Sequence, residues 1–173
     1  MTSYFRLFLD LCLFRQPVAN VPRSDTLLLV TGATAIVTGA LNASPDEHLS
    51  SALFLGAAQI LVFAIVIWIA LRLRGLRERW TQTMTGIYGA VTVLQILTIP
   101  LSAWHARLIP LEAQGMALTP PLLAIAAISI WTLAVMSSVL KQAMQIPIAA
   151  AVLIIIGCQL LLLMLVFSMI GSP

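Results

Sequence analysis

Four long runs without a charged residue most constrain what this chain can fold into. They cover residues 51–71, 81–104, 113–140 and 142–173. About 20 apolar residues in a helix cross the hydrocarbon core of a bilayer, which is roughly 30 Å thick. Only 9% of the residues are charged, against about 25% in an average soluble domain. The pattern therefore predicts an all-α, polytopic membrane protein.

Five transmembrane helices are predicted within a single domain at 25–173. The first is short and rich in Thr, Gly and Ala, and small residues of this kind let neighbouring helices approach closely. The predicted spans are about 26–42, 51–71, 83–104, 120–140 and 146–170. The predicted helix-packing positions are Gly32, Gly39, Gly56, Gly86 and Gly89.

The N-terminal segment, residues 1–24, is too short and too charged to span. Apolar residues recur at helical spacing through residues 3–15, and Pro17 and Pro22 then interrupt the helix. We predict an amphipathic helix that lies in the membrane interface; the alternative is a helix docked on the bundle. Ser24 is the predicted N-cap of the first span.

The distribution of basic residues predicts the orientation in the membrane. With five spans, eight of the nine Lys and Arg residues fall on one side, and cytoplasmic loops carry such an excess. The N-terminus is then inside and the C-terminus outside. The eight are Arg6, Arg15, Arg23, Arg72, Arg74, Arg77, Arg79 and Lys141; the ninth is Arg107.

The stretch Arg72–Trp80 is the most basic part of the chain. Four arginines beside the cytoplasmic leaflet would attract anionic headgroups at about 1 kcal/mol each. Trp80 is placed as an interfacial anchor. We predict a lipid or partner contact by Arg72, Arg74, Arg77, Arg79 and Trp80; the alternative is that the arginines only determine topology.

No Asp, Glu, Lys, Arg or His lies in the middle of any predicted span, which argues against proton coupling or voltage sensing. Gln59, Gln95 and Gln159 are the amides well inside the spans, and each could bond across helices or contact a ligand. No catalytic motif is present, and we predict neither enzymatic activity nor a cofactor.

Two histidines, His48 and His105, fall on the predicted outer face together with Asp46, Glu47 and Glu112. These residue types can bind zinc or copper. Their spacing matches no metal motif, so solvated loop histidines are the simpler interpretation.

Three stretches resemble the bacterial members of the Yip-type membrane domain family, named for Ypt/Rab-interacting proteins. A basic loop with a glycine leads into a span with a proline near its far end, and a mid-span Trp precedes a basic turn and an Ala-rich last helix. The matching stretches are LRLRGLRERWTQTMTGIYGAVTVLQILTIPLSAW at 71–104, IWTLAVMSSVLKQAMQIPIAAAVLII at 130–155, and the amphipathic lead RLFLDLCLFRQPVANVP at 6–22. The resemblance implies five spans with a cytoplasmic N-terminus. The acidic cytoplasmic motif of the family is not visible here, so the resemblance does not carry a GTPase partner with it.

The function predicted from these features is that of a non-enzymatic protein of a bacterial inner membrane. The first hypothesis is an accessory or scaffold subunit that packs through Gly and Ala faces in a larger complex, or an oligomer that organises membrane lipid. A small permease or lipid-handling channel, with a cavity lined by Gln59, Gln95 and a kink at Pro100, is the alternative. A subunit that binds haem or quinone through His48 and His105 is a third. The expected partners are membrane lipids and a membrane protein or a second copy of the chain, with no nucleic acid.

Overall fold

The computed structural model describes residues 2–43, 48–112 and 119–170, and in these ranges it contains helices and no β-strand. Helices suit the apolar stretches of the chain because a segment in lipid must satisfy its own backbone hydrogen bonds. The helices are α1 (Thr2–Cys12), α2 (Asp25–Leu41), α3 (Leu49–Leu73), α4 (Trp80–Glu112), α5 (Pro120–Met144) and α6 (Ile148–Ile170), with 3-10 turns at Val18–Asn20 and Arg77–Arg79.

Four of the described helices are long and apolar enough to cross a membrane. The membrane-length stretches are Leu49–Leu73, Arg77–Leu108 (most of α4 with the 3-10 turn before it), Pro120–Met144 and Ile148–Phe167. The helix Asp25–Leu41 is apolar but shorter. The chain is thus an all-helical protein of the multi-pass membrane type.

Two helices extend beyond their predicted ends. Helix α4 continues beyond the predicted end at residue 104 to Glu112, and so includes Pro110 as well as Pro100. A proline removes a single backbone N–H, and a helix can continue past it when its neighbours hold it. Helix α5 runs to Met144, so Lys141 lies in its last turn and not in a connecting turn. The chain reverses at Gln145, whose left-handed φ of 55° ends the helix.

Helices α2 to α6 form a closed ring. Helix α4 packs on α2 and α5; α3 packs on α2, and α6 packs on α5 and α3. Helix α4 is the most buried of the four long helices. The ring leaves a central space that all five helices surround.

Helices α2 and α4 run parallel and side by side. Ser24 caps α2, as predicted, by accepting a hydrogen bond from the Leu27 backbone N–H. The Thr81 hydroxyl lies 3.5 Å from Asp25 Oδ1 near the start of both helices, and the Ser102 hydroxyl donates to Asn42 Oδ1 at the far end of α2. The α4 residues between these contacts cover about 30 Å at 1.5 Å per residue. Helix α2 has 17 residues and is therefore about 26 Å long, somewhat less than the hydrocarbon thickness of about 30 Å, and it accompanies α4 over that length.

The tightest packing lies toward the end of the bundle that carries the arginines. Every residue from 83 to 90 on α4 is buried. Ile67 and Leu71 of α3 and Leu140 of α5 are fully buried in the same core. The helices of the ring are therefore closely packed against one another at this end.

Helix α1 is docked on the bundle. Phe8, Leu11 and Cys12 are buried, and the helix packs on α4 and α5. The Cys12 thiol contacts the Ala90 carbonyl, and the Trp131 indole N–H donates to the Cys12 carbonyl at 3.0 Å. The contacts agree with the docked alternative, in place of a helix held by the membrane interface alone.

Candidate intramembrane ligand site

A cavity of about 300 Å³ occupies the centre of the ring. Every helix from α2 to α6 contributes to its lining. Ligand pockets for small molecules are typically about 300–1,000 Å³, mostly apolar, with a few convergent polar groups. All three amides that the sequence places inside the spans, Gln59, Gln95 and Gln159, line this one space.

The three amide side chains differ in their hydrogen bonding. Gln95 Oε1 accepts a hydrogen bond from the Thr38 hydroxyl at 2.6 Å, which joins α4 to α2. In the described part of the chain, no hydrogen bond satisfies the side chain of Gln59 or Gln159. An amide without a partner in an apolar setting costs about 1–3 kcal/mol. Gln95 thus holds two helices together, whereas Gln59 and Gln159 offer donors and acceptors to a cavity occupant.

Hydroxyl groups add further polar atoms to the lining. Ser129 and Thr132 on α5 donate to the carbonyls of Ile125 and Ile128 one turn earlier, which leaves each hydroxyl oxygen able to accept. The Tyr88 hydroxyl donates to the Ile60 carbonyl at 2.8 Å and ties α4 to α3.

The cavity carries no formal charge. Among the described residues that line it, Tyr88 alone has a side chain that can ionise, and its hydroxyl is held by α3. A charged ligand would meet no counter-ion there, and transfer of an unpaired charge into such a setting is costly. The site therefore suits an uncharged molecule with hydrogen-bonding groups.

The cavity is closed toward the arginine-bearing end and opens away from it. Phe63, Ile87 and Ile155, which lie on the arginine side of the lining, are each no more than 2% exposed. Ser129 and Gln159, farther from that end, are exposed. An occupant would enter from the end opposite the arginines or from the lipid beside it.

The five predicted packing glycines all face other parts of the same chain. A side chain at Gly32 would meet Tyr88, one at Gly39 would meet Gln95, and one at Gly56 would meet Ile36. Gly86 lies against Val18, Val21 and Val139, and Gly89 lies against the Phe8 ring. These small residues are used to assemble the ring and to seat α1.

The four arginines of the predicted lipid or partner contact have different surroundings in the structure. Arg72, Arg74 and Arg77 are exposed, and the Arg72 guanidinium lies 5.0 Å from the Trp68 ring centre. Arg79 instead donates to the Ala143 carbonyl at the end of α5, at 3.4 Å.

Trp80 is not oriented as a lipid anchor. Its indole N–H donates to the Ala64 carbonyl at 3.1 Å, and its ring packs on the core. The hydrogen bond that an interfacial Trp would offer to a headgroup is taken up by α3 instead.

The two histidines do not form a metal site with other described residues. His48 is exposed before the start of α3, and His105 Nδ1 lies 3.2 Å from the Thr119 hydroxyl. No group of three metal-ligating side chains occurs within residues 2–43, 48–112 and 119–170. Asp46 and Glu47, and the side chain of Glu112, lie outside the described residues.

Ser129 and Thr132 are polar cavity residues that the sequence did not reveal. Serine and threonine in an apolar helix usually bond to their own backbone, as both do here. Their spacing of three residues on α5 was the one available signal, because residues three apart share a helix face.

Comparison of the chain with protein-family models, with curated proteins and with solved structures finds no match. The function is therefore argued from the site itself.

Proposed function

We propose that this chain is a non-enzymatic, five-span protein of a bacterial inner membrane that binds a small uncharged molecule in its central cavity. The observation that carries the proposal is the pair of amides, Gln59 and Gln159, which face one cavity from two helices without a hydrogen-bond partner among the described residues. Polar groups at membrane depth are costly and often mark ligand pathways. A permease or lipid-handling protein needs such a space.

The volume of the cavity limits the size of the molecule that it can bind. An apolar cavity of about 150 Å³ accepts one benzene molecule, so the observed 300 Å³ accommodates roughly twice that bulk. The absence of charge in the described lining favours a neutral ring or headgroup, such as that of a neutral lipid or a quinone. Hydrogen bonds from the two amides would orient its oxygen atoms.

The arrangement of α2 supports the five-span topology. Because α2 runs parallel to α4 over its whole length of about 26 Å, it would add a further crossing before α3 returns. Eight of nine basic residues then share one side, which is the cytoplasmic side under the positive-inside rule. The cavity would open toward the outer face. Membership of the Yip-type family remains part of this proposal and rests on the resemblance at 71–104 and 130–155.

The scaffold hypothesis is the second candidate, and the placement of the glycines disfavours it. It relied on Gly and Ala faces that would pack against a partner, yet all five predicted glycines face the chain's own elements. The histidine-based haem hypothesis has no observation in its favour.

The test is to identify small molecules that remain with the protein after purification. The full chain is extracted in mild detergent, and its bound molecules are analysed by native and extractive mass spectrometry. We expect a neutral molecule at near-stoichiometric amount with the wild type, and its loss in a Gln59→Leu/Gln159→Leu variant. Ala57→Leu is the matched control because it places the same apolar side chain on the exposed face of α3.

Two results would overturn the proposal. One is equal retention of the molecule by the wild type and the double variant. The other is purification of the wild type with a stoichiometric protein partner and no small molecule, which would favour the scaffold hypothesis.

A further inference from the structure

A second depression, of about 470 Å³, lies at the arginine-bearing end of the bundle. It brings together Arg23, from the linker before α2, and Arg79, from the 3-10 turn before α4. Gln82, Thr83 and Gln142 complete its polar lining. The two arginines are far apart in sequence and meet only because α2 and α4 start side by side.

Hydrogen bonds fix the rim of the depression. The Gln82 amide donates to the carbonyls of Ala19 and Val21, both at 2.7 Å, and Gln142 Oε1 accepts from the Val18 N–H at 3.0 Å. Three hydrogen bonds from α4 and α5 thus hold the linker that carries Arg23. Val18 and Val21 are also buried, so this linker is packed as well as bonded.

The electrostatics favour an anion. Arg79 uses one of its five N–H groups in a hydrogen bond within the described chain, to the Ala143 carbonyl, and Arg23 is exposed. Helices α2 and α4 both begin beside the depression, and the N-terminal ends of helices carry partial positive charge.

Opposing charges lie nearby but not in the described lining. The Asp25 carboxylate is 3.5 Å from the Thr81 hydroxyl, and Glu78 is exposed in the 3-10 turn. The end of α5 contributes carbonyl groups of the opposite dipole, and Arg79 already bonds one of these. The lining itself combines two guanidinium groups with amides and a hydroxyl.

We propose that this depression binds a phosphate group, with Arg23 and Arg79 contacting its oxygen atoms. Guanidinium groups match the geometry of phosphate oxygens and form charge-assisted hydrogen bonds with them. The phosphate could belong to an anionic phospholipid or to a soluble phosphate ester. Leu13 and Phe14, exposed where α1 leads into the same linker, offer an apolar surface for an acyl chain and favour the lipid.

The test measures binding of dioctanoyl phosphatidylglycerol to the purified full chain in neutral detergent. Dioctanoyl phosphatidylcholine, glycerol 3-phosphate and inorganic phosphate are measured in parallel. We expect phosphatidylglycerol to bind in preference to phosphatidylcholine, and an Arg23→Gln/Arg79→Gln variant to bind it at least about tenfold more weakly, since charged hydrogen bonds contribute about 1.5–3 kcal/mol and 1.4 kcal/mol is tenfold. Arg74→Gln/Arg77→Gln is the matched control, because it removes the same charge from exposed positions outside the depression.

Each outcome decides for or against the site. An equal loss in both variants would mean diffuse attraction of anions and would overturn the proposal, as would failure of every phosphate compound to bind. Binding of glycerol 3-phosphate or inorganic phosphate with the same dependence on Arg23 and Arg79 would support the site and assign it to soluble phosphates. If the double variant does not fold, Arg23→Gln alone serves, because Arg23 is exposed in the linker. Loss of a neutral molecule from the central cavity does not bear on this site, so the two proposals fail separately.

Discussion

At the scale of single residues, the same residue type serves different purposes according to its neighbours. All three glutamines line the cavity, but Gln95 Oε1 accepts a hydrogen bond from Thr38, whereas the side chains of Gln59 and Gln159 have no hydrogen bond among the described residues. Gly89 and Gly157 likewise differ in what surrounds them. A side chain at Gly89 would enter the space of the Phe8 ring, whereas Gly157 faces open space.

Gly89→Ala should destabilise the protein because its new methyl group must displace the buried Phe8 ring. Overpacking of a core costs about 1–3 kcal/mol. The measurement is the midpoint of thermal unfolding in detergent, with Gly157→Ala as the control that should not lower it. A double variant with Phe8→Ala should cost no more than Phe8→Ala alone, because the clash is then removed. Unchanged unfolding of Gly89→Ala would contradict the seating of Phe8 at this glycine.

At the scale of elements, α1 is held by α4 on one side and by α5 on the other. Phe14 closes the helix with a left-handed φ of 56°, and its ring meets the Trp131 ring edge to face at 5.4 Å. The Trp131 indole N–H bonds the Cys12 carbonyl at the end of α1. Trp131, unusual as a mid-span tryptophan in the sequence, thus has its partner in a helix more than a hundred residues earlier.

Cys12 reports on the docking of α1. Burial raises the pKa of the Cys12 thiol to about 11, because the charged thiolate is poorly solvated there. The thiolate is the reactive form, so alkylation should be slow at pH 8 and should increase as the pH rises toward 11. The raised pKa also means that docking is favoured while the thiol is protonated. This contribution is fully present below the ordinary thiol pKa and is lost as the pH rises through about 11.

Trp131→Phe should release α1 and speed this reaction. It removes the N–H that bonds the Cys12 carbonyl, and we expect alkylation by N-ethylmaleimide at pH 8 to become at least about tenfold faster, because each unit by which the thiol pKa falls toward its usual value of about 8.5 raises the thiolate fraction up to about tenfold. The rate is measured in a Cys158→Ala background, and Trp104→Phe, at an exposed tryptophan, is the control. If the two substitutions have the same effect, the Trp131 bond does not hold α1.

At the scale of the whole molecule, the ring is solid at one end and open at the other. The buried stretch 83–90 of α4 and its neighbours block passage toward the arginines, while the cavity lies beyond Ile87. A protein of this shape can bind a molecule within the membrane. Transport of that molecule across the membrane would require the helices at the closely packed end to move apart.

Access to the cavity can be tested with cysteine substitutions in a background without Cys12 and Cys158. Ser129→Cys should react in intact cells with a membrane-impermeant methanethiosulfonate reagent, because residue 129 lines the open part of the cavity. Ala134→Cys, exposed on the same helix outside the cavity lining, should not react. Equal protection of both positions would mean that the cavity is closed to the outer aqueous phase.

The orientation of the whole bundle is predicted to depend on its arginines. Fusions to the C-terminus should give active alkaline phosphatase and dark green fluorescent protein, since the positive side is cytoplasmic. Moving Arg72, Arg74 and Arg77 into the loop 43–50 should disturb this pattern. A C-terminus that stays outside in that variant would show that the Arg72–Trp80 stretch does not determine topology.

The sequence alone determined the membrane class, the four long helices and the end of the bundle where charge collects. These properties depend on the hydropathy and charge of continuous segments, which can be read without knowing what each segment contacts. The bounds were less accurate at α4 and α5, because α4 continues beyond the predicted end at residue 104 to Glu112 and Lys141–Met144 has no residue that breaks a helix.

Only the tertiary structure decided which side chains meet. The long spans are apolar on all sides, so their hydrophobic pattern does not specify the rotation of each helix or the order of its neighbours. Convergence of Gln59, Gln95 and Gln159 on one cavity depends on that rotation, and the meeting of Arg23 with Arg79 depends on the parallel start of α2 and α4. The docking of α1 likewise depends on complementary shapes at Gly89 and Phe8, which a one-dimensional pattern does not contain.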